Sequence, residues 1–340
     1  MTDTVANPTL SVAEIRSPRF KAMQAQAYAN DLARLHARQH EFVAVACPAC
    51  GETAATRAFD KYRCQFVSCR HCETLYMSPR PTPAVMDAYY GQSENYKIWG
   101  EFIFPASEAR RREKICQPML DAIVQACRTY GVAPGHLIEV GPGFGTFAAL
   151  AHGSGAFQRV SAVERTPDMA TACRRQGVTV YEMAVEDLPG SFDDPADVLA
   201  LFEVIEHIFD PEAFLRTGSR LLRAGGLLVL TCPNGAGFDT QVLGARSLAV
   251  DTEHVNLFNP KSLALLMDRL GFEVLEVTTP GRLDAELVRE AILDGDFDVS
   301  GNPFLQQVLV DEFDRLGAPF QRFLADNGLS GNMRLIARKR

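Results

Sequence analysis

The run Leu137-Ile138-Glu139-Val140-Gly141-Pro142-Gly143-Phe144-Gly145-Thr146 constrains this chain more than any other segment. An apolar strand ends in an acid, and glycines then alternate up to a helix-forming stretch, Phe147-Ala148-Ala149-Leu150. Glycine at such a turn reaches backbone angles closed to other residues, and the helix behind it offers free N–H groups to a ligand. A dinucleotide fingerprint, G-x-G-x-x-G, requires glycine at position 146, which is Thr146 here. The dinucleotide reading is set aside on that residue.

Val160-Ser161-Ala162-Val163-Glu164 is a second apolar strand ending in an acid. In nucleoside-binding α/β folds an acid at this tip accepts hydrogen bonds from both ribose hydroxyls, a task suited to two carboxylate oxygens. Val178–Tyr181 reads as a short third strand, Asp197–Leu201 as a buried fourth, and Leu227–Thr231 as a fifth. A helix over 212–223 precedes the fifth strand, and Pro233-Asn234 ends it. Strands alternating with helices predict an α/β, doubly wound parallel sheet whose ligands bind at the carboxyl ends of the strands. Phe272–Thr279 and Met333–Lys339 alternate as two further strands, predicted to pair antiparallel. The insertion between them, 280–331, shows helical patterns near Leu283–Leu293 and Phe304–Leu324. From Pro280 to Asp326 it holds ten acids and four bases. It reads equally as a lid or substrate-recognition element and as a solvated packing appendage.

Five of the nine cysteines fall within 26 residues. Cys47-Pro48-Ala49-Cys50 and Cys69-Arg70-His71-Cys72 are two C-x-x-C knuckles, eighteen residues apart, which predicts one tetrahedral four-thiolate zinc site. Cys64 and His71 are rival ligands, and Glu73 stands where glycine usually relieves the turn. The expected organisation is an N-terminal helix in 1–40 (Pro18 to about Gln39), a zinc ribbon over 41–82, a helical connector over 83–131 and a sheet domain over 132–340. In the connector the longest helix runs from Ser107 to about Tyr130. A net charge of −8 and a pI near 5.5 argue against a nucleic-acid ligand. No apolar run approaches a membrane span and the N-terminus lacks a signal pattern, so a soluble, cytoplasmic chain is expected.

The glycine run resembles motif I, E/D-x-G-x-G-x-G, of class I S-adenosylmethionine (SAM) methyltransferases. Ala184-Val185-Glu186-Asp187-Leu188-Pro189 resembles their adenine-holding loop, and Val204-Ile205-Glu206-His207 their signature after the fourth strand. The two knuckles followed by Met77-Ser78-Pro79-Arg80-Pro81-Thr82 and Tyr89-Tyr90 resemble zinc-binding methyltransferases of sugar and polysaccharide biosynthesis, among them the nucleotide-sugar C-methyltransferases. That likeness covers residues 44–340. It implies a seven-stranded Rossmann-like sheet with a helical insertion before the last strand, SAM as cofactor alongside zinc, and a small sugar-linked acceptor methylated at oxygen or carbon. It further places Gly141, Gly143 and Gly145 around the methionine moiety, Glu164 on the ribose and Glu186 at the adenine edge. Phe202 and Glu203 would line the cofactor, and Glu139 would hold its ammonium through water. Tyr89, Tyr90 and Tyr96 are candidates to cap the sulfonium.

Transfer to a hydroxyl or carbon requires a base, and histidine titrates near operating pH. His207, after the fourth strand, is one candidate. His254 is the other: the sugar C-methyltransferases carry a Glu-His pair in this region, which maps to Glu253 and His254. Their pattern has tyrosine where this chain has Asp251. A zinc-ribbon RNA methyltransferase is an alternative, disfavoured by five bases against four acids from Glu41 to Thr82. A catalytically silent assembly protein on the same fold is another. Neither the acceptor nor the oligomeric state follows from the sequence.

Overall fold

The computed structural model describes residues 10–15 and 18–340. Eleven strands arise among them, in two sheets. The larger holds seven: β4 (His136–Val140), β5 (Arg159–Val163), β6 (Thr179–Tyr181), β7 (Ala196–Phe202), β8 (Leu222–Pro233), β10 (Phe272–Thr278) and β11 (Asn332–Lys339). Their order is β10-β11-β8-β7-β4-β5-β6. β5, β4, β7 and β8 run parallel, and β11 lies antiparallel between β8 and β10. All five residues of β4 are buried, so its apolar residues do not alternate with exposed polar ones. The chain winds from β4 to β5 on one side and returns to β7 on the other, so a crevice opens at the carboxyl end of β4. The antiparallel pair expected at 272–279 and 333–339 is present, with Phe272 opposite Lys339.

The smaller sheet holds β1 (Ala55–Lys61), β2 (Cys64–Cys69), β3 (Leu75–Met77) and β9 (Asn256–Leu257), in that order. The first three are the ribbon. β9 comes from the sheet domain, so the ribbon is not a separate layer. One apolar cluster joins Cys47, Ala49, Cys69 and Cys72 to Ile138, Leu230, Phe258 and Leu263.

The helical connector departs from the single helix expected over 107–130. Helices at Phe104–Arg111 and Gln117–Tyr130 are divided by a wide π turn, Arg112–Cys116. Pro118 sits in the first turn of the second piece, where a proline has no N–H to give, and the wider turn absorbs that break. The insertion forms helices Asp284–Leu293 and Phe313–Asp326, with Pro303–Gln306 between them. Its Val288, Leu305 and Leu309 pack on Leu243 in a small core of their own.

Candidate functional site

The cofactor end is built by the turn after β4. Gly141, Gly143 and Gly145 all have positive φ, at 67°, 54° and 79°, the left-handed region that only glycine enters freely. A Cβ at 145 would stand 2.7 Å from Cys173 Sγ and one at 141 would stand 2.9 Å from Val204 Cγ2, whereas at 143 nothing lies within 4 Å. The middle glycine therefore borders open space. Beside the turn, Glu139 is 4% exposed and its Oε2 has no hydrogen-bond partner among the described residues. Burial pushes this carboxyl up to about 8. An orphaned buried acid next to an open glycine cradle fits a cationic, nucleoside-bearing ligand such as SAM. Glu164 is buried after β5, and its Oε1 accepts the Thr166 N–H at 2.7 Å, so one oxygen already anchors the chain. Phe202 meets Phe147 edge-on at 4.7 Å. Glu186 is exposed on a short turn, Val185–Asp187. Glu203, at φ 54°, turns its Oε1 toward Thr231 Oγ1 (2.7 Å) and Asn332 Nδ2 (3.0 Å).

A second cluster brings together two segments that sequence alone keeps 46 residues apart. The rings of His207 and His254 lie 4.8 Å apart. His207 Nδ1 faces the Glu253 carbonyl at 3.2 Å, and His254 Nδ1 faces the Ala249 carbonyl at 2.8 Å. A carbonyl only accepts, so each Nδ1 donates, and neither Nε2 makes a hydrogen bond among the described residues, that of His207 lying 3.9 Å from Glu206 Oε1. Burial, then the neighbouring His254, push His207 down to about 3, which keeps it neutral. Glu206 is fully buried, and neither carboxylate oxygen has a hydrogen-bond partner among the described residues. Its oxygen, His207 and His254 offer ligand atoms within 4.8 Å of one another, near enough to share a proton or a cation.

Glu253 completes this cluster. The Tyr89 hydroxyl donates to its Oε1 at 3.1 Å, and burial, then Asp251, push its carboxyl up to about 7. Tyr90 lies edge-on between Tyr89 and Tyr96. Tyr96 is partly exposed and meets the Tyr90 ring edge-on at 5.6 Å. Asp251, where the resembling family has tyrosine, accepts the N–H groups of Glu253 (2.8 Å) and His254 (2.7 Å). The sequence signal for this role is an aspartate two and three residues before the groups it caps, the ordinary Asx-turn pattern.

The knuckle thiols converge. Cys47 and Cys72, Cys50 and Cys69, and Cys72 and Cys50 each have their sulfurs 3.5 Å apart. A zinc–sulfur bond of about 2.3 Å gives tetrahedral sulfur–sulfur edges of roughly 3.8 Å, so this donor set fits the ion. The knuckles are matched: Gly51 and Glu73 follow them with φ of 80° and 60°, and each donates its N–H to the first cysteine's carbonyl. Cys64 is buried among Phe66, Val250 and Val255, away from the four, and His71 is exposed.

A family model described as a methyltransferase domain matches residues 108–277, half of the chain. The chain belongs to that family. The match spans β4 to β10 and leaves out the ribbon and the insertion. Curated relatives include a ubiquinone biosynthesis O-methyltransferase of Xanthomonas euvesicatoria pv. vesicatoria (strain 85-10), 32% identical over 43% of this chain and 66% of the relative. The namesake in Xylella fastidiosa (strain M23) is 28% identical over 42% of this chain and 62% of that protein. The chain thus spans less than two thirds of each relative's length. Among solved structures, a SAM-dependent methyltransferase from Clostridium acetobutylicum ATCC 824 has a TM-score of 0.46 at 10% identity, covering 71% of this chain and 98% of that one.

Proposed function

We propose that the protein transfers a methyl group from SAM to oxygen or carbon of a small sugar-type acceptor, a nucleotide-linked sugar or glycan precursor, in the cytoplasm. A zinc ion in the Cys47, Cys50, Cys69 and Cys72 site would hold the ribbon. The observation that carries this reading is the meeting of Glu253, His254 and His207 at the carboxyl edge of the sheet, with the Tyr89 and Tyr90 hydroxyls on Glu253 and His207. His254 is the base: its Nδ1 is anchored, its Nε2 makes no hydrogen bond among the described residues, and Asp251 fixes its backbone. His207 is a weaker base, because burial holds its conjugate acid too unstable to form near neutrality. Glu253 orients the acceptor by accepting from its hydroxyls. Methyl transfer in this geometry is an in-line displacement driven by proximity, with the proton leaving to His254.

The relatives' names favour a second reading, a phenolic hydroxyl as acceptor, and the Tyr89–Tyr90–Tyr96 wall is compatible with a flat ring. A SAM-consumption screen across nucleotide sugars and polyhydroxylated phenols separates the two. Turnover with phenols alone would refute the sugar reading, and SAM binding with no turnover on either set would favour a silent assembly protein. On the acceptor so found, His254→Ala is expected to lose roughly 10²–10⁴ in kcat with SAM affinity unchanged. His207→Ala should instead weaken SAM binding or stability. Full activity in His254→Ala would move the base elsewhere.

A further inference from the structure

Arg80 is 1% exposed, yet it forms no ion pair among the described residues. Its Nε donates to the Met77 carbonyl at 3.1 Å, and its Nη1 donates to the Phe209 carbonyl at 3.2 Å and to Asn256 Oδ1 at 2.9 Å. Nη2 has no hydrogen-bond partner among those residues. The hydrogen-bond acceptors of Arg80 are all neutral, with the Tyr76 ring 6.0 Å from the guanidinium carbon and Asp210 acting on it without a direct ion pair, so burying this charge costs stability. Asn256 is also fully buried, and its Nδ2 donates to the carbonyls of Ile205 (3.1 Å) and Ile208 (2.7 Å). One side-chain pair thereby ties three segments: the strap leaving the ribbon, the turn bearing Glu206 and His207, and the strand that begins two residues after His254.

The ribbon holds the same strand from its other side. β3 pairs antiparallel with β9, Tyr76 opposite Asn256 and Leu75 opposite Leu257. The Met77 N–H donates to the Val255 carbonyl at 3.0 Å, and Asn259 Nδ2 donates to the carbonyl of the thiol residue Cys72, also at 3.0 Å. From knuckle to acceptor histidine the connection runs through a single β-ladder and one buried clasp.

We infer that Arg80 and Asn256 are positioning residues that set the spacing of His207 and His254, and that the ribbon is part of the acceptor site's scaffold rather than an appended module. The planar guanidinium holds three acceptors on three segments from two nitrogens, Nε and Nη1, whereas a lysine ammonium would have to reach all three from one point. This inference takes its functional meaning from the reading of His254 as base, but the connection itself is testable without an acceptor.

The test is Arg80→Lys in the zinc-loaded protein, with S-adenosylhomocysteine as the probe ligand. Amide hydrogen exchange within 203–209 and 250–258 is expected to accelerate by about tenfold or more, because both segments lose their shared clasp. Exchange in 159–163 is expected to stay within about twofold, since that strand pairs only with β4 and β6. The S-adenosylhomocysteine Kd is expected to rise by no more than about tenfold, the share that reaches the glycine turn through Val204. The imidazole NMR signals of His207 and His254 should shift together. Asn256→Asp keeps an acceptor for Arg80 but turns a carboxylate on two carbonyls, and should reproduce the same pattern. Unchanged exchange in both segments would overturn the inference, as would acceleration spread evenly over the sheet, which marks general destabilisation. Should His254→Ala prove fully active while this pattern holds, the base assignment fails and the scaffold stands.

Discussion

At the residue scale the site's acids are held in an unusual state. Burial raises Glu139 from the ordinary 4.5 to about 8 in the folded protein. A folded value above the unfolded one means that its contribution to stability is complete below about pH 4.5 and is lost as pH rises through about 8. Cofactor-free protein should therefore lose stability to urea between pH 5 and 8, and Glu139→Gln should flatten part of that slope. SAM is a cation and stabilises the ionised acid, so its affinity should rise over the same window in wild type and not in the variant. Equal slopes in both proteins would mean that Glu139 carries its charge already. Glu73 presents a different strain. It sits at φ 60°, the position its matched knuckle fills with Gly51. A left-handed non-glycine residue costs roughly 1–2 kcal/mol, and glycine gives back roughly 0.5–1 kcal/mol in chain entropy. Glu73→Gly should stabilise the metal-loaded protein by about 0.5–1 kcal/mol in chemical denaturation, and a loss of stability would show that the turn is not strained. The anomaly at Glu73 was visible in the sequence because the knuckles repeat. Asp251 carries its signal in a different way: a short acid two and three residues ahead of the N–H groups it accepts, which a comparison by residue type does not show.

At the element scale, the strands of the large sheet were legible because burial on both faces leaves an unbroken apolar run, as in Leu227–Leu230. The glycine turn and the thiol spacing were legible because chemistry restricts them to few residue types. β9 was not, since two residues carry no period and its partner in β3 lies about 180 positions away in the chain. The N-terminal helix, Lys21–Ala37, was foreseen without a role. It supplies Asp31, wholly buried, whose carboxylate accepts from Ser93 Oγ (2.7 Å), Glu94 N–H (2.9 Å) and Asn95 N–H (3.0 Å). Asp31 thus caps the short helix Glu94–Ile98 from outside, satisfying N–H groups that have no partner within the helix. Higher on the same helix, the Tyr28 hydroxyl lies 3.1 Å from Thr252 Oγ1, next to Glu253. Asp31→Ala should cost about 2–4 kcal/mol, the loss of several charge-assisted bonds from a buried group. Exchange should quicken first over 93–98, which carries Tyr96. A loss below about 0.5 kcal/mol would mean that water replaces the carboxylate at no expense.

At the scale of the whole molecule, the merged core changes what metal loss does. From sequence alone, a failed ribbon leaves the SAM sheet intact, because that sheet has a core of its own. In the structure, Cys47, Cys69 and Cys72 share an apolar cluster with Ile138, Leu230 and Phe258, and Arg269 on the helix Pro260–Arg269 donates to the Ala49 carbonyl at 2.6 Å. Thiols released from an ion would expose part of that cluster and free β9 from β3. A structural zinc contributes roughly 10–16 kcal/mol to folding in small peptides, and a chain of this length gains on the order of 0.7 kcal/mol of unfolding entropy per kelvin at its midpoint. Stripping the metal with a chelator should therefore lower Tm by roughly 15–25 °C in calorimetry. The trace should remain one cooperative transition, and saturating S-adenosylhomocysteine should shift the metal-free protein less than the loaded one. Two transitions, the upper at the original Tm and with full ligand response, would show that ribbon and sheet unfold separately and that the shared cluster does not couple them.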